Sequence, residues 1–160
     1  MKTIVIGLGN PILGDDGVGW RVAEDVQRYV DPAWDIYVDI NYLSLGGISL
    51  MEHLIGYERV ILIDAFFSDE EPGSIMVSTL DGIPNYSGFH ITSVHDTSLQ
   101  NAMKLGTELG VQLPEDVRIV GISIKPVYDF GLELSPAVLE AIPKATQIVA
   151  DLLMQNITIH

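Results

Sequence analysis

Two short runs constrain this chain more than anything else in it. Thr3 to Gly9 (TIVIGLG) and Val60 to Ile63 (VILI) are apolar at nearly every position and rich in β-branched residues. Alternating polarity marks a strand with one wet face, whereas continuous apolarity marks a strand buried on both faces. A sheet covered on both sides needs helices on both, and helical-period segments lie between the strands. Val18, Val22 and Val26, with Ala23 and Tyr29, recur at spacings of three and four, while Arg21, Glu24, Asp25 and Arg28 lie elsewhere on the turn. Further strands are predicted over 35–40, 74–80 and 117–123, the second of them antiparallel or at an edge. The Val60 to Ile63 strand is expected to end at Asp64. A short helix is expected over 49–55. Another spans 97–110, with Leu99, Met103 and Leu109 as apolar positions and Gly110 as its stop. Ser135 is expected to cap the last helix, with Pro136 at its first position. Its buried stripe is read as Val138, Leu139, Ile142, Ile148, Val149, Leu152 and Leu153. Strands alternating with helices predict an α/β fold: a three-layer α/β/α sandwich around a mostly parallel, twisted sheet of about five strands. No linker, repeat or low-complexity tract interrupts the chain, so residues 1–160 are expected to form one domain.

Charge and cysteine content then exclude whole classes of function. The 160 residues hold 22 acidic and 8 basic side chains, a net charge of −14, and no cysteine. Disulfides, zinc–thiolate sites and cysteine nucleophiles are out. So acidic a chain is repelled by nucleic acid and by anionic lipid, so neither is expected as a partner. The acidity serves solubility, or it attracts a cation or a basic partner; composition does not choose. The start of the chain lacks the features of a signal peptide, and no apolar stretch approaches the roughly 18 residues that span a bilayer. The expected location is the cytoplasm.

The first strand runs into a glycine-rich loop, Gly7-Leu8-Gly9-Asn10-Pro11-Ile12-Leu13-Gly14-Asp15-Asp16-Gly17-Val18-Gly19. Gly7-x-Gly9 after a strand invites a dinucleotide reading, but Ile12 stands where the third glycine belongs, and no P-loop lysine is present. Asp15 and Asp16 occupy the helix entrance where a pyrophosphate would sit. Asp39, the candidate ribose-binding acid, lies farther along than the usual spacing of about 20 residues. The same two acids suit a cation. Asp15 reads as an N-cap for the following helix. Asp16 is either a favourable charge in the first turn or an outward-pointing ligand.

Asp64 directly follows a buried strand, at the carboxyl edge where open α/β sheets bind ligands. It can equally form an Asx-turn leaving the strand. His95 lies where the 97–110 helix is about to begin. It is either a surface residue near the cap or an imidazole kept neutral by the helix N-terminus, which is the form that binds metal. Asp16, Asp64 and His95 together would supply two carboxylates and one imidazole, a set suited to nickel, zinc, iron or manganese with coordination positions left open. His90 is a candidate for the surrounding shell, His53 reads as solvated, and His160 as a mobile terminus. Neither Gly-x-Ser-x-Gly nor His-Glu-x-x-His is present.

The stretch Ile6 to Gly19 resembles the signature of the nickel–iron hydrogenase maturation proteases. Ile61-Leu62-Ile63-Asp64-Ala65, Ser93-Val94-His95, and Val120-Gly121-Ile122 followed by Pro126, Gly131, Leu134, Ser135 and Pro136 resemble that family in the same order. The resemblance implies a cytosolic endopeptidase. Such an enzyme removes a C-terminal extension from the hydrogenase large-subunit precursor after nickel has been inserted there. It implies catalytic and metal-contacting roles for Asp16, Asp64 and His95, nickel carried by the precursor, and no organic cofactor. The chain is expected to act as a monomer. One stretch departs: Asp39-Ile40-Asn41-Tyr42-Leu43-Ser44-Leu45-Gly46-Gly47 stands where the family often has an Asp-Gly-Gly-Thr type sequence. Substrate contacts therefore do not carry over there. A non-catalytic nickel chaperone or sensor is the alternative reading of the same trio, and a nucleotide-binding module is the third.

Overall fold

The two apolar runs lie side by side at the centre of one five-stranded sheet. The computed structural model describes residues 1–32, 37–88 and 97–155. In chain order these form β1 (Lys2–Leu8), α1 (Val18–Tyr29), β2 (Tyr37–Leu43), α2 (Gly47–His53), β3 (Arg59–Phe67), β4 (Ile75–Thr79), α3 (Leu99–Glu108), β5 (Asp116–Ile124) and α4 (Pro136–Met154). The strand order is β2-β1-β3-β5-β4. All neighbours are parallel except β4, which runs antiparallel to β5 at the edge.

Each face of the sheet has its own core. Val5, Ile61, Ile63, Val120 and Ile122 pack against α1 and α4. Ile4, Ile6, Leu8, Val60, Leu62 and Ile119 pack against α2 and α3. The period-two alternation of these residues is what sends neighbours to opposite faces. The expected three-layer sandwich is the observed one.

Several boundaries differ from the sequence reading. β2 runs to Leu43 rather than stopping at Ile40, because every β1 residue from Lys2 to Leu8 has a β2 partner, ending at Leu8 opposite Leu43. β3 does not end at Asp64. Pairing with β1 stops at Gly7 opposite Ile63, but pairing with β5 carries β3 on to Phe67 opposite Ile124. Leu109 and Leu139 are exposed rather than buried. Leu109 lies past the last turn of α3, and on α4 the buried face is completed by small residues, Ala141, Ala145 and Ala150, that a search for large apolar side chains passes over.

Arg59, at the start of β3, is buried. Its guanidinium donates to the carbonyls of Leu152 at 2.9 Å and Leu153 at 3.1 Å and to Thr3 Oγ1 at 3.2 Å. It therefore ties the sheet to the last turn of α4, whose carbonyls have no partner within the helix. Among the described residues, no helix is long and apolar enough to cross a membrane.

Candidate active site

The strand order fixes where a site belongs. From β1 the chain moves to β2 on one side and then to β3 on the other, so the loops leaving β1 and β3 diverge. The crevice between their carboxyl ends is the topological switch point, the position where open α/β sheets hold ligands. Asp16 and Asp64 both stand there.

Asp16 is brought back over the end of β1 by the turn at Gly9. Gly9 has φ of 145°, and a Cβ there would lie 2.1 Å from the Asp16 carbonyl oxygen. Only glycine permits this approach. The returning chain forms a short 3-10 turn, Gly14–Gly17, and then α1. Gly19 in the first turn of α1 lets the helix settle on the sheet: a Cβ there would lie 2.4 Å from the carbonyl oxygens of both Leu8 and Ile63. The Asn10 amide donates to Asp16 Oδ2 at 3.0 Å, and Asp16 is only 5 % exposed. A carboxylate thus occupies the place a pyrophosphate would need, which disposes of the dinucleotide reading. Asp39 agrees: it sits inside β2 opposite Ile4 and accepts from the Tyr57 hydroxyl, away from the carboxyl edge.

Asp15 does not cap α1. The cap position belongs to Gly17, and Asp15 instead accepts from Ser135 twice, from its amide at 2.7 Å and its hydroxyl at 2.8 Å. Ser135 does occupy the cap position of α4, but its hydroxyl is spent on Asp15 rather than on the helix amides. The adjacent acids have therefore separated their tasks. Asp15 fastens the α4 entrance to the glycine-rich loop, and Asp16 faces the crevice.

Asp64 is 1 % exposed. It is the first β3 residue beyond the β1 pairing, so its side chain stands where the sheet opens. The Tyr86 hydroxyl donates to its Oδ2 at 3.0 Å, and its Oδ1 makes no hydrogen bond among the described residues. Burial pushes the Asp64 carboxyl well above the ordinary carboxylate range; the Tyr86 bond works against this, and the charge of Asp16 adds to it. Burial likewise raises the Tyr86 phenol, with Asp64 contributing. Tyr86 is the residue that sequence reasoning missed. Its ring stacks on Phe66, with centroids 5.7 Å apart and planes 15° from parallel. Its carbonyl accepts from the Leu99 amide at 2.6 Å, and the next carbonyl, Ser87, accepts from Gly47 at 2.7 Å. These bonds anchor the loop on α2 and α3. A cleft of about 260 Å³ opens beside Asp64, walled by Phe66, Ile83, Tyr86 and Gly88.

Of the three residues expected to meet, two are described and both lie at the crevice. His95 lies outside the described residues, as do His90 and His160. Among the described residues no three metal-ligating side chains gather into one group. The donors that are described still fit a divalent cation. Two neighbouring buried carboxylates repel, and Asp64 keeps an oxygen with no hydrogen bond among the described residues; a cation beside both would reverse that repulsion. His53 is exposed, with Nδ1 2.9 Å from the Ser49 carbonyl oxygen.

Comparison with known proteins converges on one family. The family model described as hydrogenase maturation protease matches residues 20–152. The hydrogenase expression/formation protein HupD of Thiocapsa roseopersicina is 28% identical over 156 residues, covering 96% of this chain and 68% of that protein. The hydrogenase maturating endopeptidase HybD of Escherichia coli superposes with a TM-score of 0.77 at 25% identity, over 98% of this chain and 94% of that one. The hydrogenase 2 maturation peptidase of a Thaumarchaeota archaeon gives a TM-score of 0.66 at 28% identity, over 96% and 99%.

Proposed function

The chain belongs to the hydrogenase maturation protease family, and from that premise we propose that it removes the C-terminal extension of a nickel–iron hydrogenase large-subunit precursor once nickel has been inserted there. Membership makes the protein a processing endopeptidase; the substrate, the timing and the role of nickel are the proposal. The observation that carries it is the pair of buried carboxylates, Asp16 and Asp64, at the switch point of the sheet.

In this reading Asp16, Asp64 and His95 contact the nickel held in the precursor, and the nickel is part of the substrate. The Asn10 amide and the Tyr86 hydroxyl each fix one oxygen of a carboxylate, so the two side chains meet the incoming ion without reorganising. When bound, the ion supplies positive charge that polarises water or the scissile carbonyl. The carboxylates offset that charge and hold the precursor in register, so that positioning contributes a large share of the rate. No organic cofactor takes part, and the protein acts in the cytoplasm as a monomer.

The test is incubation with purified precursor, nickel-loaded and nickel-free, read by intact mass. The proposal expects loss of the extension from the loaded form alone. Equal cleavage of both removes nickel recognition. A bound but uncut loaded precursor favours the chaperone or sensor.

A further inference from the structure

The segment between β5 and α4 leaves large apolar side chains in water beside the crevice. Tyr128, Phe130 and Leu132 are 88%, 82% and 72% exposed. Ile12, in the loop that leads to Asp16, is exposed next to them. The segment is not loose. Gly131 donates to the Ile12 carbonyl at 2.8 Å and accepts from the Gly14 amide at 2.8 Å, a parallel bridge with the glycine-rich loop. Val127 Cγ1 lies close over Gly14, and Ser135 is clamped by Asp15. The backbone is thus held against the same loop that carries Asp16, while the apolar side chains point away from any core.

The charges around this patch are predominantly negative. Asp129 and Glu133 lie within the segment, and Asp69, Glu70 and Glu71 form an exposed turn beside the end of β5, where Ser123 bonds the Glu70 carbonyl. Lys125 is the basic residue there. None of these five carboxylates has an ion pair among the described residues. A second copy of this chain would bring the same carboxylates, and an anionic membrane would bring more negative charge. An apolar patch rimmed by acids fits an extended polypeptide that carries apolar side chains with lysine or arginine among them.

We propose that Tyr128, Phe130, Leu132 and Ile12 form the docking surface for an extended, apolar and basic segment of the precursor next to the bond that is cut. The inference rests on the function proposed above and deepens it. The segment lies across the acidic rim, and the bridge at Gly131 sets its distance from Asp16. Because the four side chains are already exposed, removing them leaves the fold intact.

The experiment compares the wild-type protein with Tyr128→Ser/Phe130→Ser/Leu132→Ser and with Asp129→Asn/Glu133→Gln, on nickel-loaded precursor. Processing is read by intact mass, precursor binding by biolayer interferometry, and oligomeric state by light scattering. The triple variant is expected to raise KM by about tenfold or more with kcat within about twofold and melting temperature unchanged within a few degrees. The charge variant raises KM less, and wild-type KM climbs between about 0.05 and 0.5 M salt. An unchanged KM in both variants overturns the proposal. If the wild type binds but does not cut, loss of binding in the triple variant upholds the docking surface while the protease reading falls. Equal binding by both, or none by the wild type, overturns the docking surface. A wild-type dimer that the triple variant dissolves also overturns it, by assigning the face to a second copy.

Discussion

Asp64 is an acid that the fold holds against its own interest. Its folded-state affinity for a proton is raised by burial. A carboxyl so raised contributes its full stability below the unfolded value near 3.9 and loses it as pH climbs through the folded value. Asp64→Asn removes the titration. The variant should therefore melt higher than the parent at pH 8, by a few degrees, with the gap closing toward pH 4, as differential scanning calorimetry will show. A variant that melts lower at pH 8 contradicts the burial argument. Tyr86→Phe keeps the ring on Phe66 but leaves Asp64 Oδ2 without its donor. It should cost about 1–3 kcal/mol of stability and lower kcat by about tenfold with little change in KM. An unaltered kcat would make Tyr86 a packing residue only. The two carboxylates are legible in the sequence because each comes after a recognisable run of apolar residues. Tyr86 is not, since it lies in an unpatterned loop 22 residues from Asp64 and meets it only through tertiary folding. The tasks of Asp15 and Asp16 are half legible. A pair of acids at a helix entrance suggests one cap and one ligand, but Asp15 caps no helix and instead accepts from Ser135, 120 residues away.

Among the elements, strands are legible in the sequence where apolarity is continuous and less so where pairing partners decide the end. Nothing in the local pattern at Asp64 reveals that β5 continues to pair through Phe67. Large apolar residues are what mark a helix face in the sequence, so the buried alanines of α4 carry no such mark and the exposed Leu109 and Leu139 carry a misleading one. The buried Arg59 has no local signature, because its acceptors are carbonyls at the far end of the chain. Arg59→Met should remove the donors to Leu152 and Leu153 and destabilise the protein by about 2–4 kcal/mol. Hydrogen exchange would be fastest to change at the end of α4. Uniform exchange across the molecule, with no loss of stability, would show that the guanidinium is dispensable.

The whole molecule explains why two residues so distant in sequence share one site. Periodicity predicts the three layers, but strand order is set by which crossovers can cover both faces, and that was not readable locally. Once the order is β2-β1-β3-β5-β4, the crevice between β1 and β3 follows, and the glycine-rich loop and Asp64 are its two lips. The central claim is that these two carboxylates form the processing centre. It is tested most directly by the intact mass of nickel-loaded precursor after incubation with the wild type, Asp16→Asn and Asp64→Asn, each confirmed folded by its melting curve. The account predicts that the wild type removes the extension and that both variants leave the precursor at full mass. Complete processing by either folded variant would contradict it.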